Sequence, residues 1–167
     1  MKGLGRIFDI GSAFTPVDFN TADAATGHRV HMRNYESIAF VLYKGAGTAG
    51  ADPVMTVQEH NAASSGVSQN LAVIDEWFYK EEATLDGDET WTRVTQTLAA
   101  TAVSLTAAES EAIAVIEVDA AQLSAGFEWV SVNIAATVAN AQLVSGLYIM
   151  HGLKLPRRPD LMPQPQA

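Results

Sequence analysis

The 167-residue chain is long enough to bury one substantial core without covalent staples, and it reads as a single domain. Ten basic against nineteen acidic residues give a net charge of −9, which leaves no basic patch for a nucleic-acid backbone and excludes that class of partner from the expectation. The lack of cysteine excludes disulfides and thiolate metal sites, and no window of about twenty apolar residues is available to span a membrane.

Met1 to Ile10 does not read as a signal peptide, because Asp9 interrupts the apolar run before it reaches the needed length. Residues 1–27 read instead as an extended arm. Leu4, Ile7, Phe8, Ile10 and Phe14 keep no steady period, and Gly3, Gly5, Gly11 and Pro16 break any helix. So apolar a segment either packs along its own domain or lies across a neighbouring subunit.

Strand signals begin at His28 and continue to residue 152. Asn34-Tyr35-Glu36 turns into SIAFVLYK, where Ile38, Phe40 and Leu42 oppose Ala39, Val41 and Tyr43. Both faces are apolar, which predicts a central strand covered on both sides. GAGTAG (45–50) and Asp52-Pro53 form a flexible loop before the strand PVMTVQEH, and His60 to Gly66 is a polar turn. LAVIDEWFYKEE and TWTRVTQTL read as strands joined by a turn at Asp86-Gly87. Thr106 to Glu109 matches a helix-capping box, yet the β-branched Ile113, Val115, Ile116 and Val118 predict a strand over 112–119. Asp119 is placed to cap a single turn through Leu123 that ends at Gly126.

The longest signal is 127–151. Val130, Val132, Ile134, Ala136 and Val138 alternate with Trp129, Ser131, Asn133 and Thr137, and a second strand resumes after a tight turn at Ala139-Asn140-Ala141. The whole pattern predicts an all-β, antiparallel two-sheet sandwich, a jelly roll of eight or so strands. Residues 153–167 change character: four of the six prolines sit there, so the segment is an extended tail carrying Arg157 and Arg158. Leu155, Leu161 and Met162 give that tail something to bury on a partner.

Catalytic and cofactor signals are weak throughout. GAGTAG lacks the Lys-Ser/Thr and the following helix of a phosphate loop, so no cofactor is expected there. His28 and His31 fall on opposite faces of a strand, and His60 and His151 are far apart in the chain. Asp86, Asp88 and Glu89 form an acidic turn that suits a solvated hairpin tip better than a calcium loop. Glu76, Glu81, Glu82, Glu109, Glu111 and Glu117 offer carboxylates for glycoside hydrolysis only if two of them converge in a cleft. No Gly-x-Ser-x-Gly context or thiol supplies a nucleophile, and Trp77, Trp91 and Trp129 suit a core or interface, or alternatively a sugar-binding platform.

Three stretches, GLGRIFDI, RNYESIAFVLYKGAGTAGADPVMTVQEHNAAS and AIAVIEVDAAQLSAGFEWVSVNI, give the chain a layout that resembles head decoration (cement) proteins of tailed bacteriophages. The resemblance implies a non-enzymatic binder on the outer capsid surface that bridges subunits of the major capsid protein, often as a homotrimer. Its arms would supply the grip through Leu4, Ile7, Phe8, Ile10 and Phe14 at one end and Leu155, Arg157, Arg158, Leu161 and Met162 at the other. The alternative reading is a carbohydrate-binding sandwich or tail-associated adhesin of a phage.

Overall fold

Period-two alternation decides the architecture, because each strand hides one row of side chains and must find a second layer to cover it. The computed structural model describes residues 3–21, 24–50, 52–102, 109–136 and 140–166. Twelve strands lie there: β1 Phe8–Asp18, β2 Ala24–Ala25, β3 Val30–His31, β4 Ser37–Lys44, β5 Pro53–His60, β6 Ser68–Asn70, β7 Ile74–Glu82, β8 Thr92–Ala99, β9 Thr101–Ala102, β10 Glu111–Asp119, β11 Trp129–Ala136 and β12 Leu143–His151. Four of these are stubs of two or three residues, which leaves eight long strands.

Six long strands form a large antiparallel sheet in the order β1-β12-β4-β10-β7-β8. The other two, β11 and β5, pair as the centre of a small sheet flanked by β2, β3, β6 and β9. The sheets pack face to face as a jelly-roll-like β-sandwich. No described helix is long and apolar enough to cross a membrane; the helical pieces are single turns, including Ala120–Gln122, which Asp119 and Gln122 close as a capping box. The capping box anticipated at Thr106 falls largely in 103–108, and Thr137, Val138 and Ala139 lie likewise outside the described residues.

The core sits between the inner rows. Ile38, Phe40 and Leu42 of β4, Ala112, Ala114, Ile116 and Val118 of β10, and Val130, Val132 and Ile134 of β11 are all buried. The two strands of 127–151 do not pair with one another as a hairpin. β11 belongs to the small sheet and β12 to the large one, so the connection arches from layer to layer. Likewise β8 pairs with β7 in the large sheet, and the chain then crosses to put β9 on β5 in the small one.

The leading segment runs along its own domain. β1 is the edge strand beside β12, with register irregularities around Phe14 that explain why no period shows in its sequence. Ala13, Phe14 and Phe19 are core residues, and the Phe14 ring lies 6.2 Å from that of Phe40. Gly146 in the middle of β12 makes room for this, since a Cβ there would come within 2.5 Å of the Phe14 ring. The tail docks too. The Arg157 N–H donates to Gly5 O (2.7 Å), the His31 N–H donates to Pro165 O (2.9 Å), and Gln166 bridges to Val30. The Gln166 side-chain amide donates to Ser12 O on the open edge of β1. The tail thus closes the seam between the β1 edge of the large sheet and the β3 edge of the small one.

Candidate docking surface

The outer faces of the two sheets differ in chemistry. On the small sheet the outward row carries Thr56, Gln58 and Asn133, and the Asn133 amide donates to Gln58 Oε1 at 2.8 Å. On the large sheet the outward rows are apolar across strand after strand. One row runs Leu147, Val41, Val115, Phe78 and ends at Arg93. The next towards one end runs Ile10, Ile149, Ala39 and Glu117. On the other side lie Tyr43, Ile113 and Lys80. Ile10, Leu147 and Tyr43 are each about half exposed, at 51%, 48% and 48%.

This corrects one expectation. β4 is central, between β12 and β10, but it is covered on one face only; the outward row of Val41 and Tyr43 has no second layer among the described residues. Strand and row spacings make the open patch roughly 20 Å by 15 Å, roughly 300 Å² in plan. That is the size of the largest apolar patch on a typical folded chain, which is often functional.

Trp91, half exposed, leans over this face: Lys80 Nζ lies 5.2 Å from its ring centroid, and Phe78, Trp91, Val115 and Glu117 line a hollow of about 310 Å³. A second hollow of about 160 Å³ adjoins it, lined by Ser37, Asp75, Glu76, Glu117, Asp119 and His151 among others. Of the six glutamates considered for hydrolysis, only Glu76 and Glu117 meet there, and Glu76 is ion-paired with Arg93. Ser37 Oγ is 2.9 Å from both ring nitrogens of His151, whose Nε2 lies 3.9 Å from Glu117 Oε1. A hydroxyl equidistant from both nitrogens lies off the outward axis of each. Neither nitrogen then points at it, so the contact lacks the directional hydrogen bond of a base activating a nucleophile.

The other polar groups are structural. His60 is buried between Ser68 Oγ (2.7 Å) and Ser131 Oγ (2.9 Å); burial, then the charge of Arg29, pushes it down to about 4. It shares no partner with His151. Burial alone would push the Glu59 carboxyl up, but donation by Ser124 and Gln69 outweighs this and holds it below the usual range. His31 stacks on Trp129 at 4.4 Å and contacts Glu128. In the acidic turn, ligand atoms of Glu82, Asp86, Asp88 and Glu89 lie within 4.8 Å of one another, a set able to hold a hard cation. The amides of Asp86 and Gly87 already donate to Glu89 Oε1, holding that carboxyl low, while the charge of Asp88 raises Glu82.

The residues assigned to the arms divide. Leu4, Ile7 and Ile10 are exposed, and Leu155 and Leu161 are more so, at 63% and 59%. Phe8 is half-buried beside Gly3, and Met162 is half-buried against Gly5. Arg157 and Arg158 are exposed, with Arg158 paired to Asp160 (3.0 Å). Phe14 is a core residue and is not available to a partner. The arm and the tail therefore grip each other on the same domain, and removing residues 1–20 would extract an edge strand with part of the core.

Fold and surface together define an all-β sandwich with one open apolar sheet face. Comparison with protein-family models, with curated proteins and with solved structures finds no match.

Proposed function

We propose that this chain is a structural virion protein of a tailed phage, binding the outer surface of the capsid and stabilising it by bridging capsid subunits. The observation that supports the reading is the uncovered apolar face of the large sheet, set against a polar outer face on the small one. A body greasy on one side and polar on the other is suited to lying on a larger assembly, and the likeness of the sequence to decoration proteins supplies the assembly. The major capsid protein is the partner, joined by further copies of the chain. A charge of −9 disfavours contact with packaged DNA.

Leu147→Glu tests this. The side chain is half exposed on the middle row of the face, so the variant keeps its own melting temperature. Wild type is expected to co-sediment with purified shells stoichiometrically and to raise their disruption temperature, and the variant to do neither. Equal binding by both would remove this face from the reading. A second reading, carbohydrate binding, draws on half-exposed Trp91 beside Phe78. Glycan-array binding lost in Trp91→Ala, without affinity for shells, would transfer the function there.

A further inference from the structure

The two hollows on the open face share a wall. Phe78, Val115 and Glu117 line both, so an acidic socket and an apolar socket lie side by side. Glu117 and Val115 point out from the same strand two residues apart, about 7 Å. The ligand that fills both sockets carries a cation and an apolar side chain at that separation.

The chain itself displays such a segment. Arg157-Arg158 is the only pair of adjacent cations in the sequence, and Leu155, two residues earlier, is 63% exposed. Pro156 between Leu155 and Arg157 has its φ fixed by its ring, and two residues of extended chain span about 6–7 Å. Arg158 is committed to Asp160, whereas Arg157 has no ion pair among the described residues. The segment is also held in place, since Arg157 N–H donates to Gly5 O, so little ordering entropy is lost when it docks. Within its own chain it lies beside Asn34 and Tyr35, and none of its residues lines either socket.

We propose that the paired sockets of one copy receive the Leu155–Arg158 segment of a second copy, with Arg157 among Asp75, Glu117 and Asp119 and Leu155 against Phe78 and Trp91. The contact joins two different surfaces, so it is heterologous, and its repetition closes a ring or extends a filament. The inference rests on reading the outer face as a docking surface. Self-association is measured without shells and involves neither Leu147 nor Ile149, so it and capsid binding can fail separately.

Sedimentation velocity of the full chain over a concentration series is the test. Wild type is expected to self-associate, and Glu117→Arg/Asp119→Arg and Arg157→Ala/Arg158→Ala are each expected to weaken this by about tenfold or more. Mixing the two variants restores association that stops at a heterodimer, because one intact socket meets one intact tail and the other contact stays broken. Should either variant misfold, excess synthetic peptide of residues 153–164 is added to wild type and is expected to dissolve the assembly. A wild type that stays monomeric throughout, association unchanged in both folded variants, or an assembly indifferent to the peptide overturns the proposal.

Discussion

Tyr148 shows how much of the sandwich hangs on single side chains. It stands on β12 in the large sheet, fully buried, and its hydroxyl accepts the Val132 N–H of the small sheet at 2.9 Å. That N–H has no ladder partner because the flank of β11 changes from β3, opposite Trp129 and Val130, to β2, opposite Ile134 and Ala135. Gly27 passes through the gap, where a Cβ would overlap both the Val132 carbonyl and the Tyr148 hydroxyl. Burial raises the phenol far above its ordinary range, so it remains a neutral hydroxyl. Tyr148→Phe removes the acceptor and leaves a buried N–H unpaired. The expected cost is about 1–3 kcal/mol in urea unfolding, and an unchanged midpoint would mean that the N–H has another partner.

At the scale of the element, the tail acts as a clasp on an edge. β1 would present a row of open backbone groups along its free side, and the chain covers part of that row itself: His28 N–H donates to Ala13 O (2.7 Å), and the Gln166 amide donates to Ser12 O. Deleting residues 159–167 uncovers Ser12 O and frees His31 N–H from Pro165. The His31 amide is then expected to exchange with deuterium at least about tenfold faster while amides of β4 and β10 keep their rates; an unchanged His31 would disprove the clasp. These elements also mark where sequence stops being informative. β4, β7, β10, β11 and β12 carry runs of apolar, β-branched and aromatic residues and were legible as strands. β1 was not, because Pro16 and the bulges near Phe14 break its period. The succession of β11 and β12 resembled a hairpin, since the choice between pairing and arching depends on distant strands β4 and β5. The docking face was half legible: the residues of β4 announced two apolar faces, but whether a second layer covers the outer one is a matter of topology.

The response of the whole molecule to pH sets opposing groups against each other. At neutral pH the folded chain carries its net charge of −9, and acidification relieves that repulsion. Glu81, raised first by burial, adds to the relief as it takes up a proton more readily folded than unfolded. His60 works the other way. Its ring is held at about 4 when folded against about 6.5 when unfolded, so between those values the unfolded chain binds the extra proton. Stability from His60 is therefore complete above about pH 6.5 and is lost as pH falls towards 4. Because the ring is buried and both nitrogens are hydrogen-bonded, the full loss is on the order of 3 kcal/mol, large against the stability of an ordinary domain. Glu59 begins to add its own loss only below the ordinary glutamate range. His60→Gln keeps an amide for Ser68 or Ser131 and removes the titration, which isolates the histidine from the carboxylates. The unfolding free energy of wild type minus that of the variant, measured in urea at steps from pH 7.5 to 4, is expected to fall by about that amount, most steeply midway through the window, at about pH 5. A difference that stays flat across the window would show that the ring is protonated equally in the folded and unfolded chain.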